Sequence, residues 1–153
     1  MKIVIVSGGF DPPHLGHIKL FKEAKKLGDK LIVINNNDNW LKKKKGFAFY
    51  PENERLQILN ELESVDIVVP TLHSKDSDDT SVCSELRILG KTLEGHDVIF
   101  ANGGDRKVDN IPEYQVCEEL GIRMQFNVGG EKIQSSSELV EKVKNESRIK
   151  RTN

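Results

Sequence analysis

Met1-Lys2-Ile3-Val4-Ile5-Val6-Ser7-Gly8-Gly9-Phe10-Asp11-Pro12-Pro13-His14-Leu15-Gly16-His17 opens the chain, and its reading decides the fold. Ile3 to Val6 is an unbroken β-branched run, the mark of a strand buried on both faces. Two glycines follow at once, where the backbone can turn tightly or come close to a bulky anion. Proline is favoured in a first helical turn, so a helix is expected to start near Pro13 or His14. A helix start offers N–H groups and a positive dipole end, which together suit phosphate. His14 and His17 stand one turn apart and can face one pocket, and Gly16 between them leaves that pocket uncrowded. Singly, each feature has a plainer reading. His-x-x-His on a helix is commonly surface or core histidine, or part of a metal site lacking its third ligand here. A glycine pair after a strand is commonly only a turn. In this order, directly behind a buried first strand, packing alone does not account for them.

The rest of the chain repeats the alternation. Ile18 to Leu27 places Ile18, Leu20, Phe21, Ala24 and Leu27 on one helical face, with Gly28 as its stop signal. Leu31–Ile34 reads as a second strand, Glu52–Leu62 as a helix, and Ile67–Val69 as a third strand closed by Pro70. A polar, acidic loop, His73 to Ser81, precedes a helix over Val82–Leu93. Val98–Ala101 is a fourth strand, Pro112–Leu120 a helix stopped by Gly121, and Ile122–Phe126 a fifth strand. A final helix is expected from Ser136 to about Ser147, with residues 148–153 frayed. Apolar strands separated by helices imply an α/β fold, a Rossmann-like parallel five-stranded sheet with helices on both faces, in a single domain over 1–147. Ligands in such sheets bind beyond the carboxyl ends of the strands, which selects the loops after strands one, two, four and five.

The 153 residues are 37% hydrophobic and 31% charged with a formal net charge of −1. That balance argues against a nucleic-acid partner, which would call for a basic excess, and leaves small anionic ligands open. Cys83 and Cys117 lie far apart and read as reduced thiols. No apolar run is long enough for a signal peptide or a membrane span, so no membrane partner is expected and the expected compartment is the cytoplasm.

Gly8 to His17 resembles the signature of the cytidylyltransferase-like nucleotidylyltransferase superfamily. The likeness to the small glycerol-3-phosphate cytidylyltransferases is closest from Gly8 through Ile18-Lys19-Leu20 and Ala24 to Asp29, as far as Asp38, and covers nearly the whole domain in element order. The chain is also similar to the adenylyltransferase domain that activates heptose phosphate in bacterial surface-sugar synthesis. The resemblance implies the nucleotidylyltransferase type of Rossmann-like fold. It implies that His14 and His17 contact the triphosphate and stabilise the transition state, on a nucleotide-binding loop of Gly8, Gly9, Phe10, Asp11 and Gly16. Asp11 is expected to orient that loop or a magnesium ion. Mg2+ is the expected cofactor, bound with the nucleoside triphosphate, and no protein ligand set is assigned to it.

Further roles follow residue by residue. Lys42 to Lys45 read either as a solvated charged loop or, as the resemblance implies, as phosphate contacts, with Lys43 and Lys45 chosen as catalytic. Arg55 resembles a family arginine and is a candidate substrate contact with Asp38; a structural salt bridge is its alternative. Asn102-Gly103-Gly104-Asp105-Arg106 resembles the Gly-Asp-Asp loop of the cytidylyltransferases and the Gly-Gly-Asp loop of the heptose enzyme, which assigns Asp105 and Arg106 to the nucleotide; a plain turn is the alternative. Lys132 to Glu138 resembles the family's Ile-Ser-Thr-Thr segment and puts Ser135, Ser136 and Ser137 at the phosphates, while Ser135 and Glu138 also match a capping box. Three departures bear on the base. Val128-Gly129-Gly130-Glu131 lacks the usual arginine, Gln134 replaces the first serine, and Arg106 stands where some relatives carry an aromatic residue.

The expected reaction is NTP + R-phosphate → NDP-R + pyrophosphate, with R a polyol or sugar and CTP ahead of ATP. The alternatives are an adenylyltransferase acting on a sugar phosphate or a coenzyme precursor, and a non-catalytic nucleotide-binding regulatory module. The expected partners are thus a nucleoside triphosphate and a phosphorylated acceptor. Residues 73–81 and 106–112 are candidates to line the acceptor site, and family likeness implies a homodimer.

Overall fold

The computed structural model describes residues 1–104, 111–130 and 136–152, without the side chains of Ser137 and residues 147–152. Strands β1 (Lys2–Gly8), β2 (Lys30–Asn35), β3 (Ile67–Pro70), β4 (Asp97–Ala101) and β5 (Arg123–Gln125) form one parallel sheet in the order β3-β2-β1-β4-β5. The helices are α1 (Leu15–Lys25), α2 (Asp38–Lys45), α3 (Glu52–Asn60), α4 (Cys83–Thr92), α5 (Glu113–Leu120) and α6 (Ser136–Thr152).

Alternation along the strands builds two cores. Ile3, Ile5, Ile32, Ile34, Val98 and Phe100 meet Leu86 of α4 and Val116 and Cys117 of α5. Val4, Val6, Leu31, Val33 and Ala101 meet Phe21 and Ala24 of α1 and Leu59 of α3 on the other face. Burying each large aliphatic side chain contributes about 1.5–3 kcal/mol, which explains why the central strands are continuous apolar runs. Strand order reverses between β1 and β4, and a crevice for ligands opens beyond the carboxyl ends at such a switch point.

Gly28 is more than a helix stop. A Cβ there would lie 2.9 Å from the Lys2 carbonyl oxygen, so only glycine lets the turn after α1 press against β1. Cys83 and Cys117 are free thiols, half-buried and buried. Burial first, and the Glu113 charge second, push the Cys117 thiol up to about 12, so it stays protonated. Among the described residues, no helix is long and apolar enough to cross a membrane. Two boundaries differ from the sequence reading. α6 continues past Ser147 to Thr152, where a frayed tail was expected, and α2 occupies a stretch read as a loop.

Asp66 ties the amino-terminal edge of the sheet together. It accepts hydrogen bonds from Lys25 Nζ and from the Leu31 N–H at 2.8 Å, with Lys30 Nζ 3.8 Å away. Burial raises its carboxyl, but the Lys25 hydrogen bond, the Leu31 N–H and the two lysine charges outweigh it and hold the group below its ordinary value of 3.8. A depressed folded pKa stabilises above the unfolded value and loses that stabilisation as pH falls through the folded one. Asp66→Asn is therefore expected to lower stability by about 1 kcal/mol near neutral pH. The gap from wild type should close as pH drops below about 4, as read by urea unfolding across pH. A gap of constant size down to low pH would show that the ionised carboxylate is not its source.

Candidate active site

The loop leaving β1 is organised by its two histidines. His14 is the N-cap of α1, and its Nδ1 accepts the Gly16 N–H at 3.1 Å. His17 Nδ1 accepts the His14 N–H at 3.2 Å. Histidines thus make the reciprocal cap that a hydroxyl and a carboxylate make elsewhere. The rings stack with centroids 3.7 Å apart. Because each Nδ1 accepts, each ring proton sits on Nε2, and both Nε2–H groups are donors.

Phe10 underlies this pair. Its ring meets the His17 ring edge-on at 4.8 Å and Phe21 at 5.2 Å. Its φ is +49°, a left-handed conformation a bulky residue adopts only under constraint. A Cβ on Gly8 would come within 2.8 Å of the Phe10 ring, and one on Gly9 within 3.0 Å of Leu41 and 3.1 Å of Trp40. The glycine pair therefore has a packing reason at these two positions, alongside the close backbone approach read from the sequence.

Asp11 is buried, and its carboxylate accepts the Phe49 N–H at 2.5 Å and the Tyr50 N–H at 2.6 Å. These bonds orient the loop against the segment between α2 and α3. Arg55 braces the same junction from the other side. Its guanidinium donates to Tyr50 O at 3.0 Å, Gly9 O at 2.7 Å, Asn35 Oδ1 at 3.1 Å, Asn36 O at 2.7 Å and Asp38 Oδ1 at 2.8 Å. The Arg55 side chain is 0% exposed, which fits the structural salt bridge considered as its alternative, while the Asp38 side chain is 27% exposed.

The lysine run corrects the sequence reading. Lys42 to Lys45 lie on α2, not on a loop. Asn37 caps the helix by accepting the Trp40 N–H at 3.0 Å, Leu41 is buried, and Gly46 ends it in the left-handed conformation. Lysines in a last turn interact favourably with the negative dipole end. The helix also separates the two chosen lysines. Lys45 lines a cavity of about 240 Å3 with Asp11, Phe47 and Ser136. Lys43 instead donates to Ser77 O and to Asp78 Oδ1. Ser136 Oγ donates to Pro12 O at 2.9 Å, joining the start of α6 to the β1 loop.

Beyond β4, Asn102 O accepts the Val128 N–H at 2.9 Å, and a Cβ on Gly104 would lie 2.6 Å from Gly130 O. The loops after β4 and β5 are thus packed together. Asp105, Arg106 and Ser135 lie outside the described residues, as does the Ser137 side chain.

A polar framework beside the site ties Asn37 and Thr71, which the sequence reading did not single out, to the ends of the loop 73–81, which it did. The Asn37 N–H donates to Thr71 Oγ1 at 3.0 Å, and His73 bridges Thr71 Oγ1 and Ser81 O at 2.8 Å each. Since a carbonyl can only accept, His73 Nε2 donates to Ser81 O, and its Nδ1 accepts from Thr71. Asn37 followed by Asp38, ahead of Trp40 and Leu41, was the available signal for this helix start.

A reversed parallel sheet whose switch-point turn feeds a histidine-capped helix defines an α/β protein of Rossmann-like build with a candidate anion site at that turn. The sequence model of the Cytidylyltransferase-like family matches residues 5–142, and the chain belongs to that family. The Bifunctional protein HldE of Pectobacterium carotovorum is 35% identical over 122 residues, covering 73% of this chain and 25% of that protein. HldE of Haemophilus influenzae is 37% identical over 119 residues, covering 71% and 25%. The chain thus spans a quarter of the length of the curated relatives it matches. Among solved structures, the lipopolysaccharide core biosynthesis protein from Thermoplasma volcanium superposes with a TM-score of 0.62 at 29% identity, over 82% of this chain and 93% of that one.

Proposed function

We propose that this chain transfers an adenylyl group from ATP to a phosphorylated sugar and releases pyrophosphate. The observation that carries the nucleotide site is the pair of stacked histidines, each with Nδ1 occupied by a backbone N–H of the α1 start. Bonding at Nδ1 polarises an imidazole and strengthens its Nε2–H as a donor. Two such donors suit the charge that develops on a triphosphate during transfer. An acceptor phosphate oxygen attacks the α-phosphorus, the bond from that phosphorus to the bridging oxygen breaks, and pyrophosphate leaves with the electron pair. The attacking oxygen is already anionic, so no protein base is needed, and positioning dominates. Lys45 and Ser136, which border the β1 loop, are proposed as phosphate contacts; Arg55 and Asp38 are proposed to hold that loop in place.

Magnesium is proposed to arrive with the triphosphate and to neutralise phosphate charge there. Both Asp11 oxygens accept backbone N–H groups, and among the described residues no three His, Cys, Asp or Glu side chains form a ligand group. Phosphate oxygens and water suit the coordination of such an ion. A homodimer working in the cytoplasm is proposed on family likeness.

The identity to the HldE proteins supports ATP, together with a Gly103-Gly104-Asp105 run like that of the heptose-phosphate adenylyltransferase. Likeness to a lipopolysaccharide core biosynthesis protein supports a sugar as acceptor. The missing arginine at 128–131 and Gln134 weigh against CTP and a polyol phosphate, the first expectation. A pyrophosphate-release screen of ATP, CTP and GTP against sugar and polyol phosphates tests the proposal. The fastest release is expected with ATP and a sugar phosphate. Release with CTP alone would make the chain a cytidylyltransferase, and nucleotide binding without release for any acceptor would favour a regulatory module.

A further inference from the structure

Val82 is the N-cap of α4, and its apolar side chain makes no capping hydrogen bond. The bond comes from another helix. Glu113, the first residue of α5, is 2% exposed, and its Oε1 accepts the Val82 N–H at 3.1 Å. A capping-box glutamate makes this bond from within its own helix; Glu113 makes it across two. Among the described residues, its buried Oε2 has no hydrogen-bond partner and no cation pairs with the group. Two helix starts flank it instead, each carrying roughly half a positive charge. Burial leads in raising the Cys83 and Cys117 thiols, and the Glu113 charge adds to both, in keeping with a carboxylate seated between α4 and α5. A serine or aspartate at position 82 would cap α4 without burying a charge, so helix stability alone does not account for Glu113.

Residues 80–82 are gripped from both sides. Trp40 Nε1 donates to Thr80 O and His73 Nε2 to Ser81 O, each at 2.8 Å, while Glu113 holds the Val82 N–H. On the first side the indole lies against the β1 turn, since a Cβ on Gly9 would come within 3.1 Å of it. On the second, β4 and α5 are consecutive elements, so Glu113 anchors the far end of the segment that leaves β4. We propose that Glu113 is a positioning residue for the transfer reaction: through residues 80–82 and Trp40 it sets the spacing between the segment after β4 and the histidine turn, the two sides of the switch-point crevice. The inference rests on the nucleotidyl transfer proposed above. Each side keeps its own substrate contacts when Glu113 is changed, and what is lost is their alignment. A misplacement of about 1 Å can lower a rate about 10²-fold.

The test compares Glu113→Asp with Glu113→Gln in the full chain. Aspartate keeps the charge but falls one methylene short of Val82. Glutamine keeps an oxygen for the Val82 N–H but loses the charge and buries an amide. Glu113→Asp should lower kcat about 10²-fold while KM for ATP and for the sugar phosphate changes less than about threefold. Glu113→Gln should hold kcat within about threefold of wild type yet unfold at lower temperature, so that turnover and stability separate. Wild-type kcat in Glu113→Asp, or equal losses in both variants, would overturn the proposal. Trp40→Phe, which keeps Glu113 and drops the bond to Thr80 O, should also lower kcat; an unchanged kcat there would overturn it too. Combined with Glu113→Asp, it should lower kcat no further than the larger single loss, because both act through one junction. Trp40 is the chain's single tryptophan, and its emission reads that junction without turnover. The emission should shift in Glu113→Asp and match wild type in Glu113→Gln, and an unmoved emission in Glu113→Asp would count against the tie itself. Absence of pyrophosphate release from the wild type would instead overturn the transfer reading.

Discussion

His17→Ala is expected to lower turnover by about 10²–10³-fold, the usual effect of removing a transition-state donor. The substitution also removes a cap, since His17 Nδ1 accepts the His14 N–H at 3.2 Å, and that loss costs about 1 kcal/mol. His17→Asn separates the two effects. Its side-chain oxygen can still accept the His14 N–H, but it offers no Nε2–H. The asparagine variant is expected to recover thermal stability and not turnover, as measured by thermal unfolding and single-turnover pyrophosphate release. Recovery of near-wild-type turnover would assign His17 to capping alone.

Arg55→Ala is expected to give the largest loss of stability, about 3–5 kcal/mol, because it leaves the Asp38 carboxylate and three carbonyls without their donor. A loss of that size approaches the whole stability of many domains, so Arg55→Lys is the informative companion. One ammonium cannot span Tyr50 O, Gly9 O, Asn36 O and Asp38 as the planar guanidinium does. The lysine variant should fold with reduced stability in urea and with kcat lowered more than KM is raised. A stable lysine variant with only a raised KM for the acceptor would identify Arg55 as a substrate contact.

The sheet and its flanking helices were legible because their signals are periodic. The runs 3–6, 31–34 and 98–101 are apolar without break, and helices such as 18–27 show one apolar face and a glycine stop. α2 was not, because four consecutive lysines give no apolar period; the helix is written instead in its ends, Asn37 and Gly46, and in one buried leucine. Burial of Arg55 was also hidden. Most of its acceptors are backbone carbonyls, which any residue supplies, so no side-chain pattern announces them. The histidine pair was legible as two rings one helical turn apart on the same face, but its mutual capping was not, since imidazole is an uncommon cap. The separation of Lys43 from Lys45 required the helical placement of the run.

The tie between the β1 turn and the segment after β2 runs both ways. Asp11 of the first receives N–H groups of the second, and Arg55 of the second grips the Gly9 carbonyl of the first. Neither stretch carries its geometry alone. A chimera that grafts residues 8–17 from a relative onto this scaffold would import a mismatched half. Residues 8–17 and 35–55 should be exchanged as one cassette, and sequence drift on one side is expected to be answered on the other.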